Sequence, residues 1–391
     1  MTSSSENDVC IVGAGPAGLA LATALARNGL RCRVLEQQPL AAIETPAEDG
    51  REIALTHRAR RIMERLGMWQ HLPADDVSPL REARVSTGAS SFVLPFEARS
   101  EGHDALGWLV PNHRIRSAAY AAAGAESGIE IQTGCTVVGM ERDSAGATLG
   151  LRDGTRIHAP LVVAADSRFS TVRRMAGIGA RMFDFGRVAI VAALSHADDH
   201  GGVAHECFRY GNTLATLPLT GQRSSAVVTL KADEAPAWLA LDDDAFAARI
   251  ESQLAGRLGA MKLAGRRHHY PLVAVYAHRF VAPHFALVGD AAVGMHPVTA
   301  HGYNFGLYGV EVLARELAHG CSESALRAYE SEHRRVTFPV YEGTNAIVRL
   351  FTDDALPARL VRHAVLRFAN ALPPLRQVIT RQLTGGAARP A

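Results

Sequence analysis

Three glycines near the amino terminus have a spacing suited to a phosphate-containing ligand. Gly13, Gly15 and Gly18 fit G-x-G-x-x-G and follow the apolar run Val9–Val12, which predicts a short buried strand. In such a turn the first glycine makes the bend, the second lets a pyrophosphate approach the backbone, and the third lets a helix pack closely. The start of that helix offers unpaired N–H groups and a positive dipole end. We therefore expect these glycines and Ala17 to bind a dinucleotide.

A carboxylate follows at the distance at which dinucleotide sites bind ribose. Glu36 ends the second predicted strand, Arg31–Leu35, and a carboxylate there accepts the hydroxyl groups of an adenosine ribose. A glycine pattern alone is weak evidence. The preceding strand, the following helix up to Gly29 and this acid together make it much stronger. The motif does not distinguish FAD from NAD.

A second group of candidate ligand-binding residues lies far along the sequence. Ala286–Val288 is predicted as a strand, and Asp290 follows its carboxyl end, where open α/β sheets bind ligands. Pro297 then turns the chain, and Gly302 begins a helix with an apolar face that reaches about Ala318. Because the start of a helix stabilises negative charge, this helix is suited to an anionic group.

This second group resembles a motif of the group A flavoprotein monooxygenases of the para-hydroxybenzoate hydroxylase type. The stretch Gly289–Asn304 follows GD-A-A-x-x-x-x-P-x-x-G-Q-G-x-N, with Ala300 in place of a Gly and His301 in place of the Gln. In that family the Asp binds the ribityl chain, the Pro lies beside the isoalloxazine ring, and the helix start faces the pyrimidine end. The resemblance implies bound FAD, held by Asp290, Pro297, Gly302 and Asn304.

A third segment is similar to another motif of the same family. Leu161–Arg173 resembles D-G-x-x-S-x-V-R, with Ser167 in place of the Gly. The family's Asp supports the pyrophosphate region, which implies this role for Asp166. A nicotinamide coenzyme docks nearby in the family, so three arginines are either contacts for its phosphates or a solvated basic helix start. They are Arg168, Arg173 and Arg174.

Shorter matches add four further cofactor-binding candidates. Arg51 matches the family's Arg over the FAD pyrophosphate, and Asn112 with Arg116 match a helix start that contacts the flavin. Each of these has an ordinary surface or capping role as its alternative. Val137 is assigned by spacing alone to the strand that flanks the adenine.

The resemblance also implies an activity, in which the flavin carries the difficult chemistry. NADPH or NADH would reduce FAD transiently, and O2 would form a flavin C4a-hydroperoxide that hydroxylates an aromatic ring. The protein would supply a dry pocket, orientation and proton transfer, without a metal. Purely structural roles for the histidines remain the alternative. The catalytic candidates beside the expected ring are Pro297, His296, His301 and Tyr303.

The elements that must position these residues follow from the same resemblance, which covers nearly the whole chain. It implies an α/β fold: a Rossmann-like FAD-binding domain of the para-hydroxybenzoate hydroxylase type, an inserted antiparallel β-sheet substrate domain and a carboxyl-terminal helical region. We predict that the FAD-binding domain comprises 1–75, 103–180 and 272–342. The substrate domain comprises 76–102 and 181–271, and the helical region 343–391.

Periodicity supports the inserted domain. Short β-rich runs with glycine turns lie between Arg187 and Lys231, and they predict strands of a sheet that roofs the substrate pocket in this family. A helix is predicted over Asp242–Leu258. Residues 76–102 are predicted as a hairpin added to the sheet.

The carboxyl-terminal region carries the indication of substrate. Gly343–Asp353, Leu360–Asn370 and Leu372–Leu375 resemble the ubiquinone-biosynthesis hydroxylases, and His296–Gly302 resembles their UbiM branch. The implied substrate is hydrophobic, a polyprenylated phenol, with other ubiquinone-biosynthesis enzymes as partners. Two alternatives stay open: a same-family hydroxylase of a soluble aromatic, and a non-catalytic flavin-binding subunit of a biosynthetic complex.

Composition excludes several other classes of protein. Hydrophobic residues make up 48% and charged residues 20% of 391, as in ordinary soluble proteins. A net charge of +2 is too balanced for a nucleic-acid-binding protein. Five scattered cysteines give neither a disulfide framework nor a zinc site, so we expect a cytoplasmic location. The basic stretch 359–383 predicts either peripheral contact with the inner face of the membrane or packing on the core.

Overall fold

The computed structural model describes residues 7–87, 93–98, 102–208, 211–297 and 301–352. Strands of the first half are β1 (Val9–Val12), β2 (Cys32–Leu35), β3 (Glu52–Leu55), β4 (Ser78–Leu80), β5 (Glu82–Thr87), β6 (Val93–Glu97), β7 (Gly107–Pro111), β8 (Ile129–Gln132), β9 (Val137–Arg142), β10 (Ala147–Leu151), β11 (Arg156–Ala159) and β12 (Leu161–Ala164). Strands of the second half are β13 (Ala180–His196), β14 (Val203–Phe208), β15 (Thr213–Leu219), β16 (Arg223–Lys231), β17 (Met261–Leu263), β18 (His268–Ala277), β19 (Val281–Ala282), β20 (Phe285–Leu287) and β21 (Val293–Gly294). The helices are α1 (Pro16–Arg27), α2 (Ala41–Glu44), α3 (His57–Arg65), α4 (Asn112–Gly124), α5 (Thr171–Met175), α6 (Ala235–Leu239), α7 (Asp243–Gln253), α8 (Gly302–Glu316) and α9 (Glu323–Thr352).

A mostly parallel sheet forms the half that carries the glycine turn. Its order is β19-β20-β12-β1-β2-β8, with parallel pairing from β20 to β8 and an antiparallel edge strand β19. Every residue of β1 and β12 is buried, as expected for parallel strands covered on both faces. Since β20, β12 and β1 are parallel neighbours, their carboxyl ends lie at one edge, where such sheets bind ligands.

A larger sheet forms the second half. In the described residues it runs β21-β18-β13-β16-β15-β14-β5-β6, and β17 pairs with β13. One face packs on α6 and α7 through a cluster that includes Ile190, Leu214, Val228, Trp238 and Phe246. The strands are antiparallel except that β5 joins β14 in parallel. This parallel pair departs from the expected antiparallel sheet, because the hairpin β5–β6 comes from a distant part of the chain.

The mixed α/β fold class that the sequence predicts is confirmed. The residue boundaries of the domains stay a prediction, since the paired strands β13 and β18 run across the expected limits at 181 and 272. The chain from 76 to 102 is more than a hairpin, because β4 pairs with β7 in a small sheet with β3. Helix α7 ends earlier than expected, as Ala255 and Gly256 have positive φ angles of 54° and 70°.

The last described helix packs on the glycine-turn half. The Tyr329 hydroxyl of α9 donates to the carbonyl of Leu287 in β20 at 2.6 Å, and His333 lies against both Tyr329 and the Phe305 carbonyl of α8. None of the helices in the described ranges has the length and apolar character needed to cross a bilayer. The segments Leu360–Asn370, Leu372–Leu375 and 359–383 lie outside the described residues.

Candidate functional site

The glycine turn is built so that two of its glycines are tightly packed and one is open. Gly13 has a φ of 111°, and a Cβ there would lie 2.6 Å from the Ala165 carbonyl oxygen. A Cβ on Gly18 would lie 2.0 Å from the carbonyl oxygen of Gly13. At Gly15 a Cβ would meet no atom within 4 Å. The N–H groups at the start of α1, which no side chain caps, therefore face space that a phosphate fits.

Motifs that are distant in sequence meet at Ala17. A Cβ on Gly289 would lie 3.0 Å from the Cβ of Ala17, and one on Gly306 would lie 3.9 Å from it. The glycine turn, the turn that contains Asp290 and helix α8 are thus in contact. They converge because β1, β12 and β20 are neighbours in the sheet. The glycine turn follows β1 and the turn with Asp290 follows β20, so both turns lie at the same edge.

Two carboxylates stand at this edge of the sheet. Asp166 follows β12, and its Oδ1 is buried without a hydrogen-bond partner among the described residues. Asp290 follows β20 in a short 3-10 turn, where its Oδ2 accepts from the Nη2 of Arg168 at 2.8 Å. A buried carboxylate oxygen without a donor is costly. The Asp166 oxygen therefore fits a site for a hydroxyl or amide group of a ligand.

The three candidate arginines have different surroundings. Arg168 donates to Asp290 and, at 2.9 Å, to the Val273 carbonyl. Arg173 is only 2% exposed and donates to the carbonyls of Ala291 (2.8 Å) and Arg168 (3.1 Å). Its burial rules out the alternative of a solvated basic helix start for Arg173, while a contact with a docking coenzyme stays a prediction. Arg174 is exposed.

The catalytic candidates lie where the chain leads from β21 into α8. His296 is 6% exposed, and its ring meets the edge of Phe185 at 4.7 Å between centroids. Burial, with the charges of Arg187 and Arg168, lowers the pKa of His296 to about 4, so the imidazole is neutral at pH 7. Pro297 is exposed, and residues 298–300 lie outside the described ranges.

His301 and Tyr303 belong to the start of α8. His301 is 6% exposed, and its ring centroid lies 5.2 Å from that of Phe305. The Tyr303 hydroxyl is buried without a hydrogen-bond partner in the described part of the chain. Burial raises the pKa of Tyr303 far above its usual value, so this phenol stays protonated and can only act as a donor or a neutral acceptor. Gly302 is the first residue of the helix.

The Glu36 side chain is hydrogen-bonded to the backbone of the glycine turn. Its Oε2 accepts from the backbone N–H of Ala14 at 2.8 Å, and its Oε1 accepts from that of Gln38 at 2.9 Å. The Glu36 carbonyl accepts from Cys135, which brings the start of β9 alongside. Val137, 8% exposed, is the first residue of that strand.

Arg51 and Asn112 are brought together by an acid that the sequence did not single out. Asp49 accepts from Arg51 Nη2 at 2.5 Å and from Asn112 Nδ2 at 2.7 Å. Burial opposes ionisation, but these hydrogen bonds keep the pKa of Asp49 below its usual value. The Asp49 carbonyl also accepts from Tyr270 of the large sheet at 2.6 Å. Arg116 instead donates to the Ala42 carbonyl, at 3.1 Å.

Asn304 connects α8 to a neighbouring turn. Its Oδ1 accepts from the N–H of Thr56 at 2.9 Å, and its Nδ2 donates to the Ala54 carbonyl at 2.8 Å. Thr56 in turn caps helix α3. In this structure the Asn304 amide therefore fixes the β3–α3 turn against α8. Nothing in the spacing of these residues along the sequence indicated that contact.

Comparison with known proteins gives this arrangement a context. The model of a family described as an FAD binding domain matches residues 6–343. The chain is 43% identical over 393 residues to the ubiquinone hydroxylase UbiM of Neisseria meningitidis, covering 98% of this chain and 85% of the relative. It is 35% identical to the ubiquinone hydroxylase UbiL of Rhodospirillum rubrum, covering 97% and 89%.

Solved structures show the same fold. The p-nitrophenol 4-monooxygenase PnpA of Pseudomonas putida has a TM-score of 0.79 at 18% identity, covering 99% of this chain and 100% of that one. PqsL of Pseudomonas aeruginosa, in complex with 2-aminobenzoylacetate, has a TM-score of 0.76 at 23% identity, covering 89% and 97%. At these identities the likeness concerns the fold alone.

Proposed function

Because the chain belongs to the family of FAD-binding monooxygenases that contains the ubiquinone hydroxylases UbiM and UbiL, we propose that it hydroxylates the ring of a polyprenylated phenol in ubiquinone biosynthesis. The electron donor would be NADPH or NADH, and the oxygen source O2. The observation that carries this proposal is the full-length similarity to UbiM. The convergence of the glycine turn, Asp166, Asp290 and α8 on one edge of the sheet supports it.

The residues present at this edge fit FAD. The N–H groups at Gly15 and Ala17 would hold the pyrophosphate, for which Arg51 stays a predicted contact, and Glu36 would bind the adenosine ribose. Asp290 offers its carboxylate for a ribityl hydroxyl, and Asp166 would support the pyrophosphate region. Gly302 and Asn304 at the start of α8 would support the pyrimidine end. Asn112, Arg116, Val137 and Pro297 stay predicted contacts. When bound, FAD supplies the activation of O2 with electrons from the coenzyme.

The chain's own residues would prepare the site for that chemistry. His296 is neutral, and Tyr303 is protonated, so neither adds a charge to the space beside α8. A dry site of this kind strengthens the hydrogen bonds that orient an aromatic substrate. The helix start at Gly302 would stabilise negative charge that develops beside it. Tyr303 would hold a proton close to that position.

Labelled oxygen gives the direct test. The purified yellow protein would be supplied with NADPH or NADH, ¹⁸O2 and a short-chain prenylphenol, and the product would be analysed by mass spectrometry. We expect the product to gain one labelled oxygen. Coenzyme oxidation that yields only peroxide would contradict the proposed substrate. It would point to a soluble aromatic as the substrate, unless adding the other ubiquinone-biosynthesis enzymes restores hydroxylation.

We also propose that the enzyme contacts the inner face of the membrane, where a polyprenylated substrate resides. The support is the basic, acid-free stretch 359–383 of the sequence. Co-sedimentation with anionic vesicles at low salt would test this. The double variant Arg362→Gln/Arg367→Gln should bind these vesicles several-fold more weakly than the natural protein, while equal binding of the two proteins would reject the proposal. Neutral vesicles serve as the control.

A further inference from the structure

One face of the large sheet carries a carboxyl group in a row of apolar residues. Cross-strand partners point to the same face of a sheet, so a row of partners shares one environment. One row of such partners crosses the sheet from β6 to β13. It consists of Leu94 of β6, Val85 of β5, Glu206 of β14, Ala215 of β15, Val227 of β16 and Val191 of β13.

This row faces away from α6 and α7. The residues next to it along the strands point the other way and belong to the cluster under those helices, as shown by Leu214 and Val228 at 0% exposure and Cys207 at 4%. On the face of Glu206, Val85 and Phe208 pack with Leu94, Leu106 and Phe351 of α9. The Phe208 and Phe351 rings lie 4.5 Å apart.

The same face meets the predicted cofactor-binding half. Two residues along from Glu206, the next row runs through Phe208, Thr213, Thr229, Ala189 and Tyr270. The Tyr270 hydroxyl donates to the backbone carbonyl of Asp49, whose side chain accepts from Arg51 and Asn112. The face of Glu206 is therefore covered by the half that we expect to hold FAD and, at the β5–β6 end, by α9.

Space remains under this cover. In the middle of the sheet Glu206, Ala215 and Val227 keep partial exposure, whereas the residues on either side of them along their strands, which point to the opposite face, are buried. Because this face of the sheet is covered, the partial accessibility of these residues indicates a cavity against them. The apolar neighbours make the wall of that cavity hydrophobic.

Glu206 has no hydrogen bond or ion pair with any described residue. Burial alone raises its pKa from 4.5 to about 7, and no charged side chain contributes to that shift. An unpartnered carboxyl on an apolar wall costs stability. A ligand that is apolar apart from one hydroxyl would satisfy it and would match the rest of the wall.

We infer that Glu206 binds the phenolic hydroxyl of the aromatic substrate and so sets the orientation of the ring under the sheet. The carboxyl accepts the hydrogen bond of the hydroxyl, while Val85, Ala215 and Val227 contact the apolar part of the molecule. This inference takes its substrate class from the proposed function. A buried group that must be hydrogen-bonded discriminates strongly against an analogue that lacks the donor.

A matched pair of ligands tests the inference without turnover. Binding of a short-chain prenylphenol and of its methyl ether would be measured with the FAD-loaded protein through the change in flavin absorbance. We expect the natural protein to prefer the phenol at least tenfold. Glu206→Leu, which removes the acceptor at similar size, should abolish this preference and leave the affinity for the ether unchanged. Glu206→Gln should keep part of it.

Controls separate this outcome from a folding defect. Glu141→Gln changes an exposed carboxylate of β9 that pairs with Arg156, and it should behave like the natural protein. Equal FAD content in all variants would show intact folding. If Glu206→Leu does not fold, the comparison rests on Glu206→Gln. An undiminished preference in a folded Glu206 variant, or no preference in the natural protein, would overturn the inference.

Labelled-oxygen turnover of the natural protein judges the proposed function separately. Hydroxylation with a preference that does not depend on Glu206 would leave the function standing and reject the role of this residue. A Glu206-dependent preference without hydroxylation would support the role of Glu206 and reject the proposed function, because it would establish a phenol site in a protein with another activity.

Discussion

At the scale of the residue, the structure gives Asp290 a position that depends on one partner. Arg168 holds its carboxylate at the end of β20, beside the turn that contacts Ala17. The carboxylate is partly exposed, which leaves it available to a ligand hydroxyl. Its contribution to cofactor binding can therefore be measured by removing the side chain alone.

Asp290→Ala should yield protein with little bound flavin. Loss of a hydrogen bond to a charged group costs about 1.5–3 kcal/mol, which lowers FAD affinity roughly tenfold to a hundredfold. The measurement is the ratio of flavin to protein absorbance after purification, followed by titration with FAD. Asp153→Ala, in an exposed turn, is the control. Full retention of FAD would show that Asp290 does not bind the cofactor.

The glycine turn allows a sharper comparison, because two of its glycines differ in what surrounds them. Gly15→Ala should fold normally and lose FAD affinity, since only the ligand occupies the space that the methyl group would enter. Gly18→Ala should destabilise the fold itself by about 3 kcal/mol or more, because its Cβ would collide with the Gly13 carbonyl. Urea unfolding of the FAD-free proteins distinguishes them. Equal stability losses would contradict this assignment.

Sequence reasoning at this scale succeeds where a residue type is dictated by local backbone. Gly13 and Gly18 were predicted because a strand–turn–helix requires them. Asp49, Tyr270 and Glu206 were missed, since each acquires its role from a residue that is distant in sequence. A carboxyl gives no signal in the sequence of whether it will be buried alone or paired.

At the scale of the element, Asn304 fixes the turn between β3 and α3 against α8. We expect Asn304→Ala to lower the free energy of unfolding by about 2 kcal/mol even without FAD, because the N–H of Thr56 and the carbonyl of Ala54 would be left without their partner. Chemical denaturation of the FAD-free protein measures this. Asn212→Ala removes one hydrogen bond nearer the surface and should cost less.

A result limited to the FAD-bound form would give Asn304 a different meaning. If the variant matched the natural protein without FAD and differed only when FAD is bound, Asn304 would act as a cofactor contact and the β3–α3 turn would be held by other residues.

Periodicity predicted α8 itself, from Gly302 to within two residues of its observed end at Glu316. It could not predict the parallel pairing of β5 with β14, because pairing partners are chosen by the whole sheet.

At the scale of the whole molecule, buried ionisable groups predict a dome-shaped dependence of stability on pH. Burial lowers the pKa of His205, His296 and His333 from 6.5 to about 4. As the pH falls below 6.5 the unfolded chain takes up protons that the folded one refuses, so stability is lost. Burial raises the pKa of Glu206 to about 7 and, with nearby carboxylates, that of Glu52 to about 8. Their effect has the opposite sign, and stability is lost as the pH rises above 4.5.

Together the two effects place the maximum of the free energy of unfolding at about pH 6. Thermal unfolding of the FAD-saturated protein between pH 4.5 and 9 would show it as a peak in Tm. Glu206→Gln should flatten the alkaline side, by an amount on the order of 3 kcal/mol at pH 8. A Tm that rises steadily up to pH 9 would show that these carboxyls are solvated in the folded protein.

The family predicted from the motifs is confirmed by similarity along the full chain. This succeeded because the residues that bind a dinucleotide form compact patterns that remain readable in one sequence. The row of residues around Glu206 was not predictable in detail, because it is assembled from six strands whose register only the folded molecule defines.

The ladder between β13 and β18 has a consequence for how such proteins diversify. Both strands connect the cofactor-binding half to the large sheet, and they pair antiparallel over Ala180–Asp184 and Val188–Val191 of β13, with an irregularity between these two stretches. Exchanging the large sheet for that of another protein would require two cuts, one in each of these paired strands, and both would have to be rejoined in register. Single side-chain substitutions on the face of Glu206 leave this pairing intact, so they are the simpler route by which such a protein can change what it binds.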